Sequence, residues 1–319
     1  MNKPLRVLAL ATSMLLLGGC SATAPASPGG ADGEAVLQVV ASTSVYAEVA
    51  RAVGGPSVQV HAIVDKTSQD PHSYEATARD KLALSKADVV IANGGGYDPF
   101  MDALAQGLEL PDGAMIHAVD FQQGHEDQPD ATSDADAGHV GHDHGEENEH
   151  VWYDVHTVGA LALALAQEYS ALRPPQAEEF TASAAAFEQS IDALGASITD
   201  LRAAAKGKKF AMTEPLGFYL LTDAGMIDGT PAGISSAMEA GEDVSPLLLK
   251  KLGDGLAAGD YALLAVNTQT SGPQTEQVSA MAKKAGVPVL DLTETVPEGH
   301  DYISWMESNV ENLGVALEH

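Results

Sequence analysis

The chain alternates short β-like runs with helical runs twice, on either side of one long helical segment. In the first set the β-like runs are AVLQVVAST, VQVHAIV and DVVIANGGG, and the second set runs from FAMTEP at 210–215 to VPVLDLTETVPEG at 287–299. Strands separated by helices indicate parallel sheets with helices on their faces. Because 319 residues suffice for two cores, we predict an α/β protein of two lobes, each a mainly parallel sheet flanked by helices.

The segment between the two sets, residues 175–205, has the pattern of a single helix. Its apolar side chains follow each other at steps of three or four residues: Phe180, Ala184, Phe187, Ile191, Leu194, Ile198 and Leu201. At 1.5 Å per residue such a helix is roughly 45 Å long, more than one lobe needs. We predict that it runs past both lobes and joins residues 35–174 to residues 206–319.

The amino end is typical of a lipoprotein signal peptide at residues 1–19. Lys3 and Arg6 precede a short apolar run that ends in LGGC, where Cys20 is the only cysteine of the chain. Residues 20–34 are small and rich in proline and glycine, as in a flexible tether. We expect an extracytoplasmic protein that a lipid on Cys20 holds to the outer face of the cell membrane.

The charge balance excludes one class of partner. The chain has 16 basic and 45 acidic side chains, for a net charge of −29. Such a surface repels phosphate backbones and offers no basic stripe. We therefore expect no binding to nucleic acid. The chain itself is expected to be a monomer.

Residues 122–149 are rich in aspartate, glutamate, histidine and glycine and contain almost no apolar side chain. A segment of this composition buries too little surface to order itself, which predicts a mobile loop in the first lobe. Its histidines (His125, His139, His142 and His144) are candidate auxiliary metal ligands of weak affinity. A loop that is only solvated is the alternative.

Two histidines outside that tract are stronger candidates for a metal site. His72 follows a predicted strand in DPHSYE, although a single loop histidine is usually only solvated. His150 stands where the acidic loop ends and the helical HVWYD segment begins, and a rigid element positions a ligand better than a loop does. His156 is a weaker rival, because at 100° per residue it points well away from His150 if both are helical.

Three carboxylates in the second lobe are candidates as well. Glu214 follows a short strand and precedes Pro215, where it suits either a metal or the amino end of a helix. Asp291 and Glu294 lie at the end of the last predicted strand. Residues three apart on a strand face opposite sides, so both cannot easily ligate the same ion.

The order of these motifs resembles a known family. DPHSYE, a histidine-rich loop, HVWYD, a long helix, TEP and a final TETVPEG segment are similar to the metal-binding receptors of cluster A-I ABC importers, the ZnuA, PsaA and TroA-like group. The resemblance covers nearly the whole chain from Val36 onwards. It implies two lobes joined by a rigid helix, with one divalent ion held between them by His72, His150, Glu214 and a carboxylate that is Glu294 or, as the rival, Asp291.

The resemblance leaves open which metal ion is the cargo. Glu214 stands where zinc receptors of the group generally have histidine and manganese receptors have glutamate, and two imidazoles with two carboxylates suit Zn²⁺, Mn²⁺ or Fe²⁺. The histidine-rich tract and the intrinsic order of affinities both favour zinc. We predict a receptor that captures Zn²⁺, with Mn²⁺ or iron as the alternative, and passes it to an ABC permease in the membrane.

Other functions fit the sequence less well. A zinc hydrolase is disfavoured, because HExxH and GxSxG motifs are absent and no general base accompanies an open metal position. A surface adhesin or metal buffer that works through the acidic loop alone is the remaining alternative, and it requires that deleting residues 124–149 abolish metal binding. For the receptor, we expect affinity to fall as the pH drops through the imidazole pKa of about 6.5.

Overall fold

The computed structural model describes residues 36–111, 113–122 and 148–318. The predictions for the signal peptide, the tether with Cys20, and the loop histidines His125, His139, His142 and His144 fall on residues outside these ranges. All geometry below refers to the described residues.

The first lobe contains a parallel sheet of four strands. The strands are β1 (Leu37–Thr43), β2 (Val58–Val64), β3 (Val89–Ala92) and β4 (Met115–His117), in the order β2-β1-β3-β4. Its helices are α1 (Ser44–Gly54), α2 (Ala78–Leu84), α3 (Pro99–Ala105) and α4 (Val155–Leu172). The apolar runs make β1 and β3 almost wholly buried, as in a parallel sheet covered on both faces.

The long helix α5 (Ala177–Ala205) follows the first lobe and has 29 residues. Its buried side chains include the predicted apolar stripe from Phe180 to Ile198, while Leu201 is half-buried against the same core. The helix packs on α1 and α4. Helices α4 and α5 can approach closely because Gly159 of α4 has no side chain. A Cβ there would lie 2.8 Å from Glu188 Oε2 and 3.3 Å from Ile191 Cγ2.

The second lobe repeats the plan of the first. Its strands are β5 (Lys209–Met212), β6 (Ile227–Asp228), β7 (Leu263–Asn267) and β8 (Val289–Leu292), all parallel in the order β6-β5-β7-β8. Its helices are α6 (Phe218–Asp223), α7 (Ile234–Glu239), α8 (Pro246–Ala258), α9 (Pro273–Ala285) and α10 (Tyr302–Leu317). Helix α5 also packs on α6 and α10, so one apolar core runs from β1 to α10. The predicted α/β class with two sheets and a long helix is confirmed.

The HVWYD segment differs from the predicted helix. Residues Val151–Tyr153 form a single 3₁₀ turn, and α4 begins only at Val155. The side chain of Asp154 accepts hydrogen bonds from the backbone N–H groups of His156 and Thr157 at 3.1 and 3.4 Å and so caps α4. His150 therefore precedes the turn instead of lying on the helix. Within the described ranges, none of the helices has the length and apolar character that crossing a membrane requires.

The shared core predicts a large effect of Ile191→Ala in α5. Ile191 is fully buried, and truncation of such a side chain costs about 2–5 kcal/mol, because it removes apolar contacts and leaves a cavity. We expect a urea unfolding curve to show a loss of stability in that range. Gln189→Ala, at an exposed position of the same helix, is the matched control and should change stability by no more than about 0.5 kcal/mol. Equal effects of the two substitutions would contradict the packing of α5 described above.

Candidate metal centre

Three of the candidate donors follow strands, at the ends where parallel α/β sheets bind ligands. His72 comes after β2, whereas His150 directly precedes the 3₁₀ turn Val151–Tyr153. Glu214 lies two residues after β5, and Glu294 lies two residues after β8. The two sheets therefore direct these loops towards a common cleft between the lobes.

The two histidines lie side by side around one tyrosine. The ring centroids of His72 and His150 are 5.9 Å apart, and the ring of Tyr97 lies 4.8 and 5.8 Å from them, respectively. Burial lowers the pKa of His72. The pKa of the fully buried His150 is lowered well below its usual value, mainly by burial and secondly by the neighbouring His72. In the described structure, the Nε2 atoms of both rings are buried without a hydrogen-bond partner. Neutral imidazoles with an available Nε2 are the form that binds a metal.

Asn148 fixes the orientation of His150. Its amide nitrogen donates to the carbonyl of Pro215 at 2.7 Å, so its Oδ1 faces His150 and lies 2.8 Å from Nδ1. Because an amide oxygen only accepts, Nδ1 of His150 carries the proton and the Nε2 lone pair is left for a metal. The hydroxyl of Tyr219 donates to the Asn148 carbonyl at 2.6 Å. His150 is thus positioned by Asn148, which is itself hydrogen-bonded to Pro215 and Tyr219 of the second lobe.

Glu214 and Glu294 form a buried carboxylate pair, called the inner pair below. The amide nitrogen of Asn267 donates to Glu214 Oε2 and to Glu294 Oε1, each at 2.6 Å. The hydroxyl of Thr270 donates to Glu214 Oε1 at 2.6 Å, and the hydroxyl of Tyr97 donates to Glu294 Oε2 at 2.9 Å. Each oxygen of the pair therefore accepts one hydrogen bond. Tyr97 connects the pair to the histidines, since its ring packs on His72.

Two alternatives from the sequence can be compared with this geometry. Glu214 precedes the turn Pro215–Gly217 but makes no capping hydrogen bond with its side chain, so a capping role is not what holds it. Asp291 lies within β8 with an exposed side chain, whereas Glu294 is fully buried. Glu294, and not Asp291, is therefore the buried carboxylate that Asn267 joins to Glu214.

The inner pair carries an electrostatic cost. Burial raises the pKa of Glu294 to about 7 and also raises the pKa of Glu214, and the charge of Glu214 adds to the shift at Glu294. In the part of the chain that the structure describes, neither carboxylate forms an ion pair with a lysine or arginine; ion pairs such as those of Arg51 with Glu48 and Lys250 with Asp254 lie elsewhere. Two buried carboxylates without a basic partner favour a bound cation.

Two further acidic residues, which the sequence did not single out, lie at the histidines. Glu239, the last residue of α7, places Oε1 3.4 Å from His150 Nε2 and 4.0 Å from His72 Nε2. Donor atoms of His72, His150 and Glu239 all lie within 4.8 Å of one another. Glu149 Oε1 lies 3.4 Å from His72 Nδ1. We call His72, His150 and Glu239 the outer triad.

Sequence patterns gave little sign of either residue. Glu149 was expected in the mobile loop, but in the structure it is half-buried, and the side chain of Asn93 donates to its carbonyl oxygen at 2.9 Å. Asn93 belongs to the NGGG loop after β3, where Gly94 has φ +80°, and a Cβ on it would lie 2.8 Å from Val119. Glu239 lies on a six-residue helix far from any recognisable motif. Only the folding of α7 over the cleft brings it to the histidines.

Comparison with known proteins places the chain in a family. A sequence model of the ZnuA family, described as zinc-uptake complex component A, periplasmic, matches residues 39–316. The chain belongs to the ZnuA family. This confirms the resemblance seen in the motifs, and because the family consists of substrate-binding receptors of ABC transporters, it also confirms that the chain is not an enzyme.

Curated relatives of this ZnuA-family chain differ in the metal they are named for. The zinc-binding lipoprotein AdcA of Streptococcus pneumoniae is 25% identical over 94% of the chain, which spans 60% of the length of AdcA. The manganese ABC transporter substrate-binding lipoprotein PsaA of the same species is 22% identical, over 88% of the chain and 89% of PsaA. The iron ABC transporter substrate-binding lipoprotein MtsA of Streptococcus pyogenes is 23% identical, over 98% and 97%.

Solved structures share the fold. A crystal structure of ZnuA superposes with a TM-score of 0.68 at 20% identity, covering 88% of this chain and 99% of that one. The SBP FpvC of Pseudomonas aeruginosa in complex with Ni²⁺ gives a TM-score of 0.66 at 22% identity, with coverage of 89% and 97%. At these identities the likeness concerns the fold alone.

The raised pKa of Glu294 predicts a pH effect on the metal-free ZnuA-family protein. A carboxyl whose pKa is about 7 when folded, against roughly 4.3 when exposed, holds its proton more tightly in the folded state, so stability is lost as the pH rises between these values. Glu294→Gln removes this loss. We therefore compare the free energies of unfolding of the variant and the wild type. From about pH 5 to pH 8, this difference should shift by roughly 3 kcal/mol in favour of the variant, because one pKa unit corresponds to about 1.4 kcal/mol.

The measurement is urea unfolding in the presence of a chelator at several pH values. Asp291→Asn makes the same chemical change at an exposed position and should leave the pH profile of the wild type unaltered. Parallel profiles for Glu294→Gln and the wild type would show that the folded state does not raise this pKa.

Proposed function

We propose that this chain is an extracytoplasmic receptor that captures one divalent transition-metal ion between its lobes and delivers it to an ABC permease, with zinc as the favoured cargo. The observation that carries the proposal is the convergence of two neutral imidazoles and buried carboxylates in one cleft, without a lysine or arginine paired to the inner pair in the described structure. A divalent cation supplies the charge that this donor set lacks. Membership of the ZnuA family supports the same function.

The proposed ligands of the cargo are His72, His150, Glu214 and Glu294. Glu294 is supported over Asp291 as the fourth ligand because it is buried and accepts a hydrogen bond from the Tyr97 hydroxyl. The hydrogen bonds that His150 donates to Asn148, and those that Asn267 donates to Glu214 and Glu294, hold ligands in place before the ion arrives, which reduces the reorganisation that binding requires. The proposed organisation follows from these ligands: two lobes at residues 35–174 and 206–319 contribute two ligands each, and the helix at 175–205 joins the lobes.

Zinc is proposed over manganese and iron on chemical grounds. For sites of nitrogen and oxygen ligands, the intrinsic order of affinity places Zn²⁺ above Fe²⁺ and Mn²⁺. Imidazoles suit zinc well, whereas manganese prefers sites that are richer in oxygen. The relatives are named for zinc, manganese and iron in turn, so the choice rests on the donors of this chain.

Attachment to the membrane is proposed to occur through Cys20. Lys3, Arg6, the apolar run and LGGC form the expected signal, and the relatives AdcA, PsaA and MtsA are named lipoproteins. A tether at residues 20–34 would then separate the lipid from the first strand.

Metal competition tests the cargo. Protein freed of metal and dialysed against equimolar Zn²⁺ and Mn²⁺ at neutral pH should retain one zinc ion per chain in elemental analysis, because zinc forms the stronger bonds to imidazole. Retention of manganese in place of zinc would establish the alternative cargo. The absence of any stoichiometric ion would contradict the receptor function.

A deletion serves as the control for that experiment. A variant without residues 124–147 keeps Asn148 and Glu149 and should still bind one ion tightly. Loss of all binding in this variant would favour the metal-buffer alternative, in which the histidine-rich tract is the whole site.

Histidine substitutions test the ligands. His72→Ala or His150→Ala removes one nitrogen donor, and we expect zinc affinity to fall at least about 100-fold, more than the tenfold to hundredfold loss that follows changes around the ligands. Competition with a chromophoric chelator measures the affinity. His156→Ala is the matched control, because His156 is exposed on α4 and should bind zinc as the wild type does. Wild-type affinity in both ligand variants would refute the site.

A further inference from the structure

Glu239 reaches the histidines from a short helix that glycines bound on both sides. Helix α7 ends at Glu239, and Gly233 before it and Gly241 after it have φ values of +85° and +67°. Left-handed backbone, which glycine adopts without strain, therefore stands before and after this short helix. The side chain of Glu239 is 21% exposed, like that of His72, so both retain contact with solvent.

The atoms that face each other here are both electron-pair donors. The amide nitrogen of Asn148 donates a hydrogen bond to the Pro215 carbonyl, so the amide oxygen faces His150 Nδ1. Because that oxygen can only accept a hydrogen bond, the proton of the His150 ring is on Nδ1. His150 then presents the lone pair of Nε2 to Glu239 Oε1 at 3.4 Å. A lone pair and an ionised carboxylate oxygen at this distance in a buried setting repel each other unless a cation or a proton lies between them.

His72 presents a third donor atom to the same point. In the tautomer that points its Nδ1–H at Glu149 Oε1, 3.4 Å away, the lone pair of His72 is on Nε2. That Nε2 lies 4.0 Å from Glu239 Oε1 and has no hydrogen-bond partner in the described residues. The three donor atoms of the outer triad therefore surround one small volume.

The inner pair differs from the outer triad in access. Glu214 and Glu294 are 3% and 0% exposed, and Asn267, Thr270 and Tyr97 donate hydrogen bonds to all four of their oxygens. An ion that enters from solvent meets Glu239 and His72 first. It can reach the inner pair only by replacing some of those hydrogen bonds.

We propose that Glu239 is itself a ligand of the metal cargo, and that the outer triad is the site at which the ion is first captured. The inference rests on the proposed receptor function and extends it, because it adds a carboxylate from α7 to the four expected ligands. His72 and His150 belong to both arrangements: Glu239 completes the outer one, and the inner pair completes the inner one.

Substitution of Glu239 by glutamine tests this role. The amide keeps the size of the side chain and removes its charge and its ability to bind a metal strongly. We expect Glu239→Gln to weaken Zn²⁺ binding at least about tenfold, a loss seen even for groups that only support ligands, and to speed zinc release into excess chelator. Glu242→Gln, at an exposed glutamate three residues further on, is the matched control and should behave as the wild type.

Direct ligation is separated from a structural effect by spectroscopy. With Co²⁺ in place of zinc, the visible absorption bands report the number and type of ligands, and we expect them to change in Glu239→Gln but not in Glu242→Gln. In a zinc-loaded crystal structure, an oxygen of Glu239 should lie about 2.0–2.2 Å from the ion. Thermal unfolding of the metal-free variants checks that both are folded.

The outcomes distinguish this inference from the receptor function itself. If the wild type holds one zinc ion and the His72 and His150 variants lose it, but Glu239→Gln matches the wild type in affinity or in its cobalt spectrum, then Glu239 is not a ligand and the receptor function stands. If the wild type itself binds no zinc, manganese or iron, both proposals are wrong.

Discussion

The packing of one helix against both lobes is the constraint on which the metal centre depends. The donors lie on loops and on one short helix, and none of those segments can fix its own position. Helix α5 buries an apolar stripe and packs on α1 and α4 of the first lobe and on α6 and α10 of the second. Hydrogen bonds between the lobes then refine the alignment, such as those from Tyr153 to the Thr293 carbonyl at 2.9 Å and from Gln269 to the Gln69 carbonyl at 2.6 Å.

The cleft formed in this way is electrostatically incomplete by itself. Burial lowers the pKa values of its two histidines and raises those of its carboxylates, so the metal-free state minimises charge by keeping imidazoles neutral and retaining protons on acids. A divalent ion bound beside the carboxylates would stabilise their ionised form and so offset the free-energy cost of burying them as anions. In the receptor that we propose, an inner carboxylate such as Glu294 carries the proton that competes with the metal near neutral pH, because its pKa is raised to about 7 while the pKa values of the imidazoles are lowered.

Polar side chains without charge do much of the positioning. Asn148 sets the tautomer of His150, and Asn267 holds two carboxylates of like charge within reach of one amide group. Tyr97 contacts both histidines and donates to Glu294. These residues determine where lone pairs point, and changes in such supporting groups typically lower metal affinity about tenfold to hundredfold.

The sequence by itself determined the two α/β lobes, the long helix and the positions of His72 and Glu214 after strands, because the periods of strands and helices and the rule for parallel sheets are local properties. It predicted His150 at the start of a helix, whereas the structure puts this residue before a 3₁₀ turn. Tertiary structure alone decided that Glu294 is buried beside Glu214 while Asp291 is exposed, since Asn267, which joins the two glutamates, lies on another strand. It also decided that Glu149 and Glu239 join the histidines. Their neighbours in space are distant in the chain, and only the packing of the two lobes along α5 brings them together.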